Sequence, residues 1–504
     1  MIEFKPHQVY YHELIKQEYL PYRTINRFSM ILGDPPGAGK TLTSLGAVPL
    51  FDRQRVIIIC PIAARLNWAR EILRLDPNAS ISNIESKWKI EKQIEELEKK
   101  SKYTIISFSQ TIKMDRYVKE TQLDGTLKTK NRDVEKTLDR LYPYLESVKW
   151  DSIIIDEAHT LRNRKTKLFG FVRSICNRRT GDLQLLTGTL LYTHPEDMFA
   201  LCQLINRQKY SSYWAWARKY CILEDNPYSP SPIVKGFKDP AEVQADISPF
   251  YIERPKSVLN LPPIKFNWIP VELGTEQRDF YNSIRVQKQK YKTKGAFIYN
   301  GNVCAIKNGL ARLFYLKKAA LSLDLLDDES SSVEGSKIDA LNKLLDSLVP
   351  DKVVIFSQQV EALERLYNLC NNACIAAGRQ PRAVLYRGGI ASDKRDRELE
   401  RFKTDPYVDR LYISTPAGGE SLNITEAHHL VALELTESPA KNDQFISRVW
   451  RYGQTETTQI YILYAKDTVE ERVIQVATDR KELFSQSIPI TEDISKILRE
   501  EKGN

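Results

Sequence analysis

The stretch DPPGAGKT, residues 34–41, carries the side chains needed to hold a chain of phosphates. Gly37 and Gly39 let backbone N–H groups turn inward around phosphate oxygens, helped by the positive end of a following helix. Lys40 supplies a compact cation for the β- and γ-phosphates, and the Thr41 hydroxyl is placed to ligate Mg²⁺. The usual pattern G-x-x-x-x-G-K-[ST] starts with glycine, whereas this chain has Asp34. That position only enters the turn, so the aspartate need not abolish binding. A second stretch, IIIDEAH at 153–159, is an apolar run ending in two acids. Buried carboxylates are costly unless they are used. Asp156 is expected to hold Mg²⁺ through its water shell, and Glu157 to orient and deprotonate an attacking water. His159 is expected at a lobe interface, relaying the state of the nucleotide. Each stretch has an ordinary alternative: a glycine-containing turn for the first, a helix start with favourable acids for the second. Their occurrence together favours a phosphate site.

The elements that must position these residues are readable as apolar runs. SMILG (29–33), RVIIIC (55–60), YTIISF (103–108), DSIIID (151–156) and LQLLT (183–187) form one series. KVVIFS (352–357), RAVLY (382–386), RLYIST (410–415), HLVALE (429–434) and QIYILY (459–464) form a second. Continuous rather than alternating apolar strands suggest sheets covered on both faces, hence two α/β lobes with parallel sheets. The expected division is a first lobe over 1–205, helical insertions and a link over 206–335, and a second lobe over 336–504. Residues 190–335 show no comparable strand series, and the charged segment 111–149 reads as a helical insertion. The acidic, polar loop at 322–336 is a natural boundary before the second lobe.

Bulk properties exclude several classes. The 504 residues are 42% hydrophobic and 28% charged, with no apolar run long enough to span a bilayer. The start MIEFKPHQVYYHEL lacks the apolar core of a signal peptide, so a cytoplasmic, nucleoid-associated, nuclear or viral-factory location is expected. Seven cysteines without a C-x-x-C pair give neither a disulfide framework nor a zinc site. Cys370 and Cys374 fit buried small residues better than metal ligands. A net charge of +9 leans weakly towards a polyanionic partner.

With both motifs and both lobes in place, the chain resembles the superfamily-two helicases, built from two RecA-like lobes in tandem. Finer details resemble the Snf-type branch, the duplex-DNA translocases of chromatin remodelling and fork repair. That branch has DEMGLGKT where this chain has DPPGAGKT, which makes Asp34 a family feature. FKPHQ (4–8) resembles LRPYQ, whose glutamine, here Gln8, reads adenine. CPIAARLNWAREI (60–72) matches P-x-S-L-x-x-N-W-x-x-E through Pro61, Asn67, Trp68 and Glu71. LLTGTLLYTHPEDMFAL (185–201) resembles motif III, ERPKSVLNLPP (253–263) the link between lobes, and STPAGGESLNITEA (414–427) motif V. QFISRVWRYGQ (444–454) fits Q-x-x-x-R-x-x-R-x-G-Q. Its Arg448 and Arg451 are expected one helical turn apart, pointing the same way as arginine fingers from the second lobe.

The resemblance implies ATP and Mg²⁺ as cofactors, and no zinc is expected from the cysteine spacing. Nucleotide contacts fall on Gln8, Asp34, Gly37, Ala38, Gly39, Lys40, Thr41, Leu42, Asp156, Gly419, Glu420 and Gln454. Coupling falls on His159, Thr187, Gly188, Thr189 and Gln444. Grip on DNA phosphates falls on Ser107, Phe108, Arg164, Lys165, Ser357, Gln358, Arg387, Gly388 and Thr415. YSSYWAWARKYC (210–221) and ALELTESPAKNDQ (432–444) resemble the HARP-type annealing helicases. SPA replaces W-N-P there, so the usual tryptophan is Glu437 or absent, which puts coupling at that loop in doubt. The expected activity is DNA-dependent ATP hydrolysis driving a monomeric motor along duplex or forked DNA, with room for a targeting protein partner. A strand-separating helicase and a nucleotide-dependent switch subunit are the competing readings.

Overall fold

A computed structural model describes residues 4–19, 28–51, 53–111, 117–121, 127–131, 141–188, 195–226, 230–254, 256–286, 292–293, 296–299, 302–305, 309–327, 330–414 and 422–487. Thr189, Thr415, Gly419 and Glu420 lie outside them, as do 112–116, 122–126 and 132–140 of the expected insertion. The chain divides into two compact units at Val258/Leu259. The expected middle segment 206–335 is therefore shared between them.

The first unit contains β1 (Ser29–Leu32), β2 (Val56–Cys60), β3 (Ile81–Asn83), β4 (Tyr103–Ser107), β5 (Tyr117–Thr121), β6 (Leu127–Asn131), β7 (Ser152–Ile155), β8 (Asp182–Leu186), β9 (Cys221–Glu224), β10 (Ile233–Phe237) and β11 (Tyr251–Ile252). Seven of these form one sheet in the order β11-β1-β8-β7-β2-β4-β3, every neighbouring pair parallel. Every residue of β2, β4, β7 and β8 is buried, as continuous apolar runs require. Three helices matter to the site: α1 (Pro6–Leu14), α2 (Lys40–Ala47) and α3 (Arg65–Leu75). Trp68 of α3 is fully buried in a core with Met30, Leu32, Ile58, Ile105 and Leu186.

The second unit continues with β12 (Ile264–Val271), β13 (Lys292–Thr293), β14 (Ala296–Tyr299), β15 (Asn302–Ala305), β16 (Val353–Ser357), β17 (Ala383–Tyr386), β18 (Arg410–Ser414), β19 (His429–Ala432) and β20 (Thr458–Ala465). Its parallel sheet has the order β12-β20-β19-β16-β18-β17. Two α/β units with parallel sheets agree with the expected fold class.

The differences lie at the edges. β3, β11 and β12 were not expected, and each is an outermost strand of its sheet. IKFNWIPV alternates rather than running apolar, and it tolerates Pro270 because one side of an edge strand needs no partner. In the insertion, Tyr117–Thr121 and Leu127–Asn131 pair as an antiparallel hairpin rather than helices.

Candidate active site

Because the first sheet is parallel, the C-terminal ends of β1, β8 and β7 emerge side by side on one edge. That edge is where open α/β sheets bind ligands. The chain leaves β1, passes Gly33–Gly39 and enters α2 at Lys40. Gly37 (φ 87°) and Gly39 (φ 80°) adopt the left-handed backbone that favours glycine. Gly39 is required twice, since a Cβ there would lie 2.8 Å from Nε2 of Gln8. Lys40 Nζ donates to the carbonyl oxygens of Asp34 at 2.7 Å and Pro35 at 3.4 Å, so the ammonium is folded over its own loop. Thr41 and Leu42 follow in the first turn of α2, both half-buried.

α1 braces this loop from below. Gln8 is 2% exposed; its Nε2 donates to Gly39 O at 3.2 Å and its Oε1 accepts from Lys5 N at 2.9 Å. His7 Nε2 bonds the Ala38 carbonyl at 2.8 Å, and His12 Nε2 the Thr43 carbonyl at 2.9 Å. As placed, Gln8 holds the loop backbone.

Asp34 does something other than meet a nucleotide. Its side chain is 0% exposed and is gripped by the Arg254 guanidinium, with Nε donating to Oδ1 at 2.7 Å and a second bond from the terminal nitrogen to Oδ2. Arg254 also donates to the His7 carbonyl. Asp34 ties the phosphate loop to the segment after β11. Tyr251 of that strand lies against Gly33, where a Cβ would strike its ring. The Tyr251 hydroxyl donates to Glu253. Burial, with the nearby Asp34 charge adding to it, pushes the Glu253 carboxyl up to about 7, against the hydrogen bond from Tyr251.

At the end of β7, Asp156 accepts from the Trp68 indole N–H and from the Glu157 backbone N–H, each at 2.9 Å. Burial first, then the adjoining Glu157 charge, raises its carboxyl to about 6, while the Trp68 bond and the Lys40 charge act downward. Glu157 has a left-handed backbone (φ 50°, ψ 48°), which costs a non-glycine residue about 1–2 kcal/mol. His159 Nδ1 stands 3.2 Å from Glu157 Oε2 and 3.4 Å from Thr187 Oγ1. Burial and then the Arg162 charge lower the imidazole to about 4, so it is neutral near pH 7. Gly188 completes the cluster: a Cβ there would lie 3.2 Å from Pro36 and 3.7 Å from Lys40 Nζ. The end of β8 thus stands between the phosphate loop and the two acids, where it can sense both.

The donor set is hard oxygen, a hydroxyl and two carboxylates facing a lysine-bearing glycine loop, and it suits Mg²⁺ with phosphates rather than a softer metal.

The remaining expected residues separate. Ser107 and Ser357 are both 0% exposed. Ser107 Oγ bonds Gln110 and Ser109, while Ser357 Oγ donates to Glu434 at 2.8 Å. They pin the ends of β4 and β16 and, as placed, present nothing to a DNA phosphate. Gln358 donates its backbone N–H to Glu434 and its Nε2 to the Leu435 carbonyl at 3.3 Å. Phe108, Gly388 and Arg387 are half-buried, the last paired with Glu364. Arg164 covers the Tyr213 ring at 3.9 Å, and Lys165 is exposed.

In the second unit the helix Pro439–Ile446 carries Gln444 but stops before the arginines. Arg448 and Arg451 occupy the following turns, which corrects the expected shared helix face. Turn bonds carry the backbone on as far as Trp450 N to Ile446 O, while the Arg448 carbonyl accepts from Ile424 N and the Trp450 indole donates to Pro262 O at 2.8 Å. Arg451 donates to the Leu422 carbonyl, and burial lowers its pKa. Gln454 is 7% exposed, with Nε2 on Ala427 O at 2.9 Å and Oε1 accepting from Thr455 N and Glu456 N. As placed, it knots the loop.

Trp68, Arg254 and Glu434 are positioning residues not singled out in the sequence for these contacts. Trp68 and Arg254 stand in the quoted motifs, but their partners are distant in the chain.

The SNF2-related domain profile matches residues 16–324, and the helicase conserved C-terminal domain matches 336–453. The chain is 22% identical to the "CHD3-type chromatin-remodeling factor PICKLE" of Arabidopsis thaliana over 94% of this chain and 34% of that protein. It is 23% identical to the "DNA repair and recombination protein RAD54B" of Gallus gallus, over 97% of this chain and 54% of that protein. The chain therefore spans about a third to a half of these two relatives. A solved structure titled "Sulfolobus solfataricus SWI2/SNF2 ATPase core in complex with dsDNA" aligns over 97% of this chain and 98% of that one, with 18% identity and a TM-score of 0.39. With the first profile covering more than half of its length, the chain belongs to the SNF2-related domain family.

Proposed function

We propose that this protein is a DNA-stimulated ATPase that moves along duplex DNA and uses the energy to remodel DNA or displace bound proteins. The observation that carries the proposal is the gathering of Lys40, Asp156, Glu157, His159 and Thr187 at one sheet edge in a chain of this family. Thr41 and Asp156 would hold Mg²⁺, which when bound would supply positive charge to offset that of the phosphates. Lys40 exchanges its bonds to Asp34 O and Pro35 O for phosphate oxygens. Glu157 accepts the proton of the attacking water, and neutral His159 holds the Glu157 carboxylate through its Nδ1–H. Thr187, bonded to the same imidazole, links that carboxylate to the end of β8. Two relatives bear names of chromatin remodelling and of DNA repair and recombination, which supports DNA as the track. Duplex grip would rest on phosphate contacts from exposed basic residues such as Lys165.

The test is turnover of the purified chain with a panel of duplex DNA, forked DNA, single-stranded DNA and RNA. Slow hydrolysis alone and strong stimulation by duplex or fork is the expected result. Stimulation by RNA alone would replace the proposal with a strand-separating RNA helicase, and no stimulation by any of them with a switch subunit.

A further inference from the structure

The second sheet carries a cluster at the edge opposite Ser357 and Glu434. β16 and β19 are parallel neighbours, with Val353 beside His429. Asp351 lies just before β16, and His428 just before β19. This register makes three ligand types converge. Nε2 of His429 is 3.2 Å, and Nε2 of His428 3.7 Å, from the same atom, Oδ2 of Asp351. The three ligand atoms lie within 4.8 Å of one another, the one such His/Cys/Asp/Glu group among the described residues.

Two imidazole nitrogens and a carboxylate oxygen are ligands of zinc-class ions, and bond lengths near 2.0–2.1 Å place tetrahedral ligand atoms about 3.3 Å apart. The observed separations need only small adjustment. Behind His429, the Tyr461 hydroxyl lies 3.5 Å from Nδ1. Accepting from Nδ1–H, it can hold the tautomer that leaves the Nε2 lone pair for an ion, the role an outer acceptor plays behind metal-bound histidines. Exposure fits a site with one open position: the Asp351 side chain is 47% exposed and that of His428 28%, whereas that of His429 is 9%. Solvent can deliver the ion and supply a fourth ligand.

We propose that Asp351, His428 and His429 bind one zinc-class divalent ion, with water completing the coordination, and so clasp the entry of β19 to the entry of β16. Imidazole ligands select Zn²⁺ or Co²⁺ over Mg²⁺ and Ca²⁺. The site lies wholly in the second unit and is independent of the nucleotide. It runs against the expectation of no zinc, which rested on cysteine spacing.

The test uses the full chain, free of any histidine tag and stripped with chelator. Cys370 and Cys374 are replaced by serine, since these half-buried thiols one helical turn apart also attract zinc. Zn²⁺ is titrated by calorimetry, and Co²⁺ by its visible absorption. One equivalent should bind and raise the unfolding midpoint. His428→Ala and Asp351→Asn, both at accessible positions, should each weaken binding at least tenfold, and Tyr461→Phe by about tenfold. Co²⁺ should show the intense visible bands of a low-coordinate N/O site. Absence of binding would overturn the proposal and leave a hydrogen-bonded trio capping two strands. Unchanged binding in both His428→Ala and Asp351→Asn would also overturn it, placing the ion elsewhere.

Discussion

Replacing Asp34 by glycine would restore the general phosphate-loop pattern in letters, and the structure predicts that it damages the protein. Asp34 is 0% exposed and Arg254 10% exposed at the side chain, and their contact is bidentate. Removing one member of a buried pair leaves the other charge without compensation, at a cost of about 3–5 kcal/mol. For a unit of this size each kcal/mol lowers the melting point by about 2–4 °C, so Asp34→Gly should lower it by roughly 6–20 °C. Added backbone freedom at glycine contributes only about 0.5–1 kcal/mol of this. A double-mutant cycle isolates the pair: Arg254→Met should be costly in wild type and much cheaper when Asp34 is already alanine. Melting is followed without nucleotide, so phosphate binding does not enter. A shift of Asp34→Gly below about 2 °C, or strict additivity in the cycle, would refute the view that this bond anchors the loop.

Other outcomes follow from the same geometry. Glu157→Gln should keep nucleotide binding and lose turnover, whereas Lys40→Ala should weaken binding itself; equal turnover in wild type and Glu157→Gln would remove Glu157 as the base. Arg451→Ala should cut hydrolysis by a factor on the order of 10³ with duplex affinity nearly intact, and lost DNA binding with normal hydrolysis would make it a DNA contact instead. Glu253 has a carboxyl raised from 4.5 to about 7 in the fold. Its ionisation therefore opposes folding: stability is fullest below pH 4.5 and is lost as pH rises towards 7. Glu253→Gln should stabilise by on the order of 2–3 kcal/mol at pH 8 and by almost nothing at pH 4, read from melting curves at both pH values.

What could be read from the chain follows the range of each interaction. The nine interior strands announce themselves because burial on both faces demands apolar residues at consecutive positions, as in Val56–Cys60. Edge strands such as Ile264–Val271 face less of the core, so their pattern is diluted. In the site, Gly37, Gly39 and Lys40 are local, their roles set by backbone conformation and the next helix. Arg254 on Asp34, Trp68 on Asp156 and Glu434 on Ser357 are pairings across 220, 88 and 77 positions, invisible to spacing. The partners of Ser107 and Ser357 were hidden for the same reason, because a serine at a strand end looks identical whether it faces solvent or a buried acceptor. The helix expected under Arg448 and Arg451 stops at Ile446, and the chain runs on in turns whose Arg448 carbonyl bonds Ile424 N.

The place of β1 in its sheet bears on how the chain is made. β1 has β8 on one side and β11 on the other. The loop that follows it waits for Arg254, 220 residues downstream. At about 5–20 residues per second, those residues take roughly 10–40 s to be synthesised. Until β8 is made the apolar strand Ser29–Leu32 has neither lateral neighbour, and until β11 only one, while β2, β4 and β7 can pair before it. The phosphate loop, near the start of the chain, is thus among the last parts of its unit to acquire a shape, and a nascent chain halted before Arg254 should be both unable to hold nucleotide and attractive to chaperones that bind exposed apolar strands.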